Sequence, residues 1–310
     1  MSIELAENRL RDGHVAVGSL EVLMENYERD GFVVVDGLLP DAVVEQAQYG
    51  VKRHHAGERD VELPSGLGYL DWRPGDPPGI RINDYVSLQN EDVRGLVTYP
   101  PIAAMAAILS RSPSIRLFHD QIIYKDHVAN PAKVDANVVG FHTDRAYWQT
   151  CSSNEMLTAW VPLTPVSEVT GALSFVRGSH RWPGNDNLAN FFAQRHGVSL
   201  SQIAVPDGVE PEVVTLELTP GQMSFHHCRT VHGSAPNRSA GPRCAITVHF
   251  QDETNEYVPP PAGRHSVHVN DLLCKRRGDG NPDYSDSFVS PELFAGSPAD
   301  AERVLEAGPS

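Results

Sequence analysis

Ile115-Arg116-Leu117-Phe118-His119-Asp120-Gln121-Ile122-Ile123-Tyr124 opens the part of the chain that decides the fold. Two short apolar runs, IRLF and QIIY, are joined by a polar step, and the device recurs downstream. VVGFH (138–142), LTAWVPL (157–163), ALSFV (172–176), VVTLEL (213–218), MSFHH (223–227) and CAITVHF (244–250) follow, separated by turn-forming residues. Short strands at this spacing predict an all-β barrel or sandwich. Upstream, residues 20–55 read as helix, strand, helix. Leu23 and Tyr27 mark the first helix, and Phe32-Val33-Val34-Val35 the strand. Pro40 and Asp41 open the second helix, which runs through Val44, Ala47 and Val51. The Gly-, Pro- and charge-rich stretch 57–79 reads as a loop, and Pro101 to Leu109 (PIAAMAAIL) as a buried helix. About 184–200 is expected to be a helical insert carrying Leu188, Phe191 and Phe192. Helices before and strands after predict a mainly β core with helices packed outside it.

Neither a repeat of fixed period nor a clear linker is visible, so one domain is expected over 1–310. Its helical part covers about 20–110, its β core about 115–250, and an irregular tail about 270–310. The formal net charge is −15, which disfavours nucleic-acid phosphates and anionic membranes as partners. No run of about 18 apolar residues suggests a membrane span. The opening MSIELAENRLRDG lacks the apolar stretch of an export signal, so a cytoplasmic location is expected. Cys151, Cys228, Cys244 and Cys274 lack paired spacing, which fits a reducing compartment rather than a disulfide framework or zinc site.

His142-Thr143-Asp144 stands at a strand end. Residues two apart on a strand point to one side, so His142 and Asp144 can reach one ion. An imidazole and a carboxylate suit iron(II) or another first-row metal, and one further imidazole completes a facial triad with three open positions. The pair alone is weak, because a solvated histidine before a turn aspartate reads identically. Downstream, Thr230-Val231-His232-Gly233-Ser234 follows a strand, and Arg243 comes eleven residues after His232. If the two flanking strands pair antiparallel, His232 and Arg243 face one cavity. There the fixed guanidinium fork meets a carboxylate.

These residues resemble the phytanoyl-CoA dioxygenase-like family of iron(II)/2-oxoglutarate oxygenases. The likeness runs from about Tyr27 to Phe294. It takes in Asp30-Gly31-Phe32-Val33-Val34-Val35-Asp36-Gly37, His142-Thr143-Asp144, Leu157 to Leu163, Gly171-Ala172-Leu173, Arg177-Gly178-Ser179-His180, His232-Gly233-Ser234 and Pro242-Arg243. The resemblance implies a double-stranded β-helix (a jelly-roll, cupin-like core) with iron(II) held by His142, Asp144 and His232. It implies 2-oxoglutarate and O2 as cosubstrates, with Arg243 on the distal carboxylate and Ser234 beside it. Trp160 matches a tryptophan lining that pocket, and Gln121 a position that touches the cosubstrate. Asp144 implies hydroxylation rather than halogenation, because related halogenases replace this carboxylate. Arg177 to His180 departs from the usual Pro-Gly-Ser-His and reads as a structural turn. His226, His227 and His249 read as core histidines or supports of the ligands.

The substrate is expected among the loop at 57–90, the residues after Asp144 and the insert. Arg81, Arg145 and Arg177 are candidates to meet an anion, with ordinary surface charge as the competing reading. Tyr147 and Trp148 are candidates to wall an apolar pocket. By analogy the partner is a small molecule, either a specialised-metabolism intermediate or an amino acid, free or tethered to a carrier or CoA. Two other readings stay open: a cupin-type metalloenzyme that needs no 2-oxoglutarate, and a non-catalytic ligand-binding barrel.

Overall fold

The computed structural model describes residues 17–77, 79–127, 137–192, 200–260 and 267–307. Helix α1 (Val17–Asp30), strand β1 (Phe32–Val35) and helix α2 (Asp41–His55) come first, as the sequence predicts. Strand β2 (Ile80–Asp84) leads into three helices: α3 (Val86–Gln89), α4 (Glu91–Val97) and α5 (Pro100–Ser110). The barrel strands are β3 (Ser114–Lys125), β4 (Val139–His142), β5 (Leu157–Pro162), β6 (Leu173–Val176), β7 (Val213–Thr215), β8 (Met223–His227), β9 (His232–Ser234) and β10 (Arg243–Asp252). The chain closes with α6 (Val269–Leu273), β11 (Glu292–Ala295) and α7 (Pro298–Glu306).

The strands form two antiparallel sheets. The larger runs β1-β8-β5-β10-β3-β11, with β2 also on β3, and the smaller runs β4-β9-β6-β7. Two such sheets wrapped face to face make the expected jelly-roll core. Alternation along the strands assigns each side chain to a face. On β10, Cys244, Ile246, Val248 and Phe250 point outward and join α1, α2, α4, α5 and α7 in the main hydrophobic core. Arg243, Thr247 and His249 take the other parity and line the barrel interior. The same split puts Leu157, Ala159 and Val161 of β5 outward while Thr158 and Trp160 point in. A β-bulge between His249 and Phe250, opposite Phe118, preserves both faces along β10.

Helix α5 is buried from Pro101 to Leu109 and packs on the larger sheet. Glu91–Ser110 is long and apolar enough, by composition, to cross a membrane; here 67% of that stretch is buried in the core, and Thr98-Tyr99 divide it into α4 and α5.

Two expectations are corrected. The stretch expected as a helical insert has no α-helix in its described part, 184–192. Instead Gly140 N donates to Phe191 O (3.3 Å) and Thr143 N to Leu188 O (3.1 Å), tying a segment of turns to the end of β4. Residues 193–199 of that insert lie outside the described residues, and Leu200 opens a 3-10 turn. The tail is not irregular either. Strand β11 pairs with β3 at the sheet edge, and α7 packs against α5. A capping box made by Ser297 and Asp300 starts α7.

Candidate metal and keto-acid site

His142 ends β4, and Thr143 stays extended, so strand alternation carries through to Asp144 at the head of a short 3-10 turn. His232 opens β9, directly across from His142. Gly233 makes that approach possible, since a Cβ there would lie 2.8 Å from Val139 O. The ligand atoms of His142, Asp144 and His232 lie within 4.8 Å of one another, and all three residues are buried. Nε2 of His142 and of His232 are 3.9 and 3.6 Å from Asp144 Oδ1.

Each histidine is held by its other nitrogen. His142 Nδ1 donates to Gly140 O (2.8 Å) and His232 Nδ1 to Thr230 O (2.9 Å), which sets the tautomer and leaves each Nε2 with a free lone pair. Burial pulls both imidazoles below their ordinary range, so they are neutral. Burial alone would push the Asp144 carboxyl up, but the polar cluster of His232, His226 and His249 around it favours the ionised form and holds it well below the usual carboxylate range. Two neutral imidazoles and an ionised carboxylate are the protonation states a divalent first-row metal requires. Thr158 Oγ1 donates to Asp144 Oδ2 at 2.7 Å and lies 2.7 Å from His249 Nδ1, which supplies the hydroxyl with a donor.

The cavity behind these residues encloses about 400 Å³, part of it open to solvent, and Gln121, Trp160, Phe191, Ser234, Arg243 and His249 are among its walls. Arg243 lies at its inner end, 2% exposed. Among the described residues its guanidinium reaches only the carbonyls of Ile123 and Gly171 (3.3 Å each) and Ser234 Oγ (3.5 Å), while Nε has no partner. Burial pulls this guanidinium down to about 10. It lies 5.6 Å from the Trp160 ring centroid, so Trp160 forms the wall beside it. Lys125 is also fully buried and donates to Ser234 Oγ (2.6 Å) and Ala235 O (2.7 Å). Burial and the neighbouring Arg243 pull its ammonium well below its usual range. Neither cation has a carboxylate partner among the described residues.

His232 and Arg243 do face one cavity, but not as an antiparallel pair. Strand β9 belongs to the small sheet and β10 to the large one, so the two residues meet across the barrel. Gln121 lines the cavity and donates to Asp84 Oδ1 (2.7 Å). Tyr147 packs its ring 5.9 Å from that of His142 and accepts a hydrogen bond from Phe191 N (2.9 Å).

Four other candidates are placed elsewhere. Arg81 pairs with Asp126 (2.6 Å) and stacks on Trp72 and Tyr124. Arg145 turns away, to Asn154 Oδ1 (3.0 Å) and the carbonyls of Trp148 and Cys151. Arg177 joins Asp30 and Glu212. Trp148 is buried behind His249, ring centroids 5.2 Å apart, and is not a wall of the cavity. Conversely, Thr158, His226 and Phe191 line the cavity without having been singled out as members of the site, and Lys125 lies behind it, bonded to Ser234. Strand parity was the signal for Thr158 and His226, which alternate with outward Ala159 and Phe225. His227, of opposite parity, faces Glu155 instead (3.7 Å).

Comparison with known proteins agrees with this geometry. The family model for phytanoyl-CoA dioxygenase (PhyH) matches residues 27–245. Peroxisomal phytanoyl-CoA dioxygenase of Bos taurus is 24% identical over 241 residues, 75% of this chain and 68% of the relative. Ectoine dioxygenase of Bordetella bronchiseptica is 23% identical over 263 residues, 77% of this chain and 78% of the relative. Among solved structures, the non-heme alpha ketoglutarate dependent epimerase SnoN from nogalamycin biosynthesis superposes with a TM-score of 0.64 and 28% identity, covering 90% of this chain and 100% of that one. The chain belongs to the phytanoyl-CoA dioxygenase family of iron- and 2-oxoglutarate-dependent oxygenases.

Proposed function

We propose that the protein uses iron(II), 2-oxoglutarate and O2 to hydroxylate a small, uncharged organic molecule of specialised metabolism. The observation that carries the cosubstrate assignment is the buried guanidinium of Arg243 on the cavity wall, which has no carboxylate partner among the described residues. Burying an unpaired cation is costly, so such a corner calls for an anion from outside. The distal carboxylate of 2-oxoglutarate supplies it, on Arg243 and Ser234, with Trp160 and Gln121 as neighbouring walls. His142, Asp144 and His232 would hold the metal, and their charge state fits iron(II). When bound, iron and the keto acid supply the oxidising chemistry, with succinate and CO2 as coproducts.

The chain's own residues orient these groups. Arg81, Arg145 and Arg177, the candidates for meeting a substrate anion, are all engaged by protein groups. That favours an uncharged substrate over an amino acid. The likeness to an enzyme from nogalamycin biosynthesis supports a specialised-metabolism scaffold. That neighbour is an epimerase, and hydroxylation is preferred here as the simplest outcome for a site that retains Asp144.

The test is succinate release from 2-oxoglutarate by protein purified without oxygen, given iron(II) and then air, beside Asp144→Ala. Turnover in the wild type that the variant loses supports the reading, and candidate substrates then reveal themselves by accelerating it. Failure to bind both iron(II) and 2-oxoglutarate sinks it.

A further inference from the structure

We propose that His226 is a positioning residue that makes Asp144 a one-oxygen ligand, an inference that rests on the metal-site reading above. His226 lies on β8 and points into the barrel between Phe175 (ring centroids 5.1 Å) and His232 (4.4 Å). It is 1% exposed, and neither ring nitrogen has a well-formed hydrogen bond. Its Nε2 lies 3.3 Å from Asp144 Oδ2.

The two oxygens of Asp144 therefore have different surroundings. Oδ1 faces Nε2 of His142 and His232, at 3.9 and 3.6 Å. Oδ2 accepts from Thr158 (2.7 Å) and faces His226. His249 Nδ1 also lies 3.9 Å from Oδ2, but its hydrogen-bond partner is Thr158. Among the described residues, His226 Nε2 is then the next group within reach of the second lone pair of Oδ2.

Counting metal positions shows why this matters. A six-coordinate ion with three protein donors keeps three positions, two for the chelating keto acid and one for O2. An aspartate that chelates through both oxygens takes one of those three. Thr158 donating to Oδ2, with His226 Nε2 facing the same oxygen at 3.3 Å, holds that oxygen off the metal. Packing alone does not require an imidazole here: Phe175 is on one side, and a phenyl ring of similar shape would fill the space. A buried imidazole with no other partner among the described residues is costly to keep, and the carboxylate is what it faces.

The experiment compares the wild type with His226→Phe, which keeps the ring and loses the donor, and His226→Gln, which restores a donor. Thermal melts establish folding. Anaerobic titrations then give the affinity for iron(II) and for cobalt(II), whose visible spectrum reports coordination number. His226→Phe is expected to fold, to bind metal on the order of 10- to 100-fold more weakly, and to show a changed cobalt spectrum. His226→Gln is expected to recover both. Unchanged metal affinity and cobalt spectrum in His226→Phe overturn the proposal. If His226→Phe does not fold, His226→Leu takes the same measurements under the same criterion. A wild type that binds no metal overturns the metal-site reading itself, a result distinct from a wild type and variant that bind alike.

Discussion

Replacing Arg243 by Met removes the guanidinium and keeps most of its apolar stem. Truncating one partner of a buried, hydrogen-bonded charge pair costs about 2–5 kcal/mol, or roughly thirty- to several-thousand-fold in affinity. Ser234 Oγ, held by Lys125, remains on the cavity wall, so the loss for 2-oxoglutarate is expected at the low end, on the order of 100-fold. Stability should respond the other way. Without a ligand, Arg243 is a buried cation with three long hydrogen bonds, to Ile123 O, Gly171 O and Ser234 Oγ, and an unsatisfied Nε. An apolar replacement at such a position is commonly neutral or stabilising. The ligand-free variant should therefore melt at or above the wild type, while its melting temperature rises less when 2-oxoglutarate is added. Calorimetric titration under argon with manganese(II) in the metal site measures the affinities. Pyruvate, a keto acid with no distal carboxylate, is the control. Wild type should prefer 2-oxoglutarate over pyruvate far more than the variant does. Equal losses for both keto acids would refute the reasoning, because Arg243 would then be acting through the fold rather than on the distal carboxylate.

Burial holds His54 and His249 neutral, down to about 3, and His55 and His180 down to about 4. Unfolded imidazoles take a proton near 6.5, so stability is complete above that value and falls as pH drops through it toward 4. His54 alone should cost about 2 kcal/mol at pH 5; urea unfolding at pH 7.5 and 5 checks this, and equal midpoints would contradict it. Gly233→Ala puts a methyl 2.8 Å from Val139 O, between the strands that carry His142 and His232. It should destabilise by about 1–3 kcal/mol and weaken metal binding, read by melting and cobalt titration. Arg81→Met breaks the pair with Asp126, a partly exposed contact worth about 1 kcal/mol or less. It should leave metal and 2-oxoglutarate affinities unchanged; a large fall in either would return Arg81 to the site.

What the sequence made legible follows from range. The opening helix, strand and helix, the buried α5 and most barrel strands carry their signal in a few consecutive residues, and all are found in place. His142 and Asp144 were legible because strand alternation is itself local. β11 was not, because its four residues sit in Gly-, Pro- and Asp-rich sequence and find their partner on β3, far back in the chain. Helix α7 did announce itself, through Ser297, Pro298 and Asp300, but the turn-rich composition around it masked the cap. The relation of His232 to Arg243 shows the limit most clearly. Eleven residues separate them, and a simple hairpin accounts for the spacing. The chain instead crosses from the small sheet to the large one between them. The crossing puts the metal ligand on one wall and the cation on the other, with the cavity between. A hairpin would have set the two side by side on one sheet. The crossing thus gives the geometry that the proposed reading requires, with a keto acid spanning the cavity between His232 and Arg243.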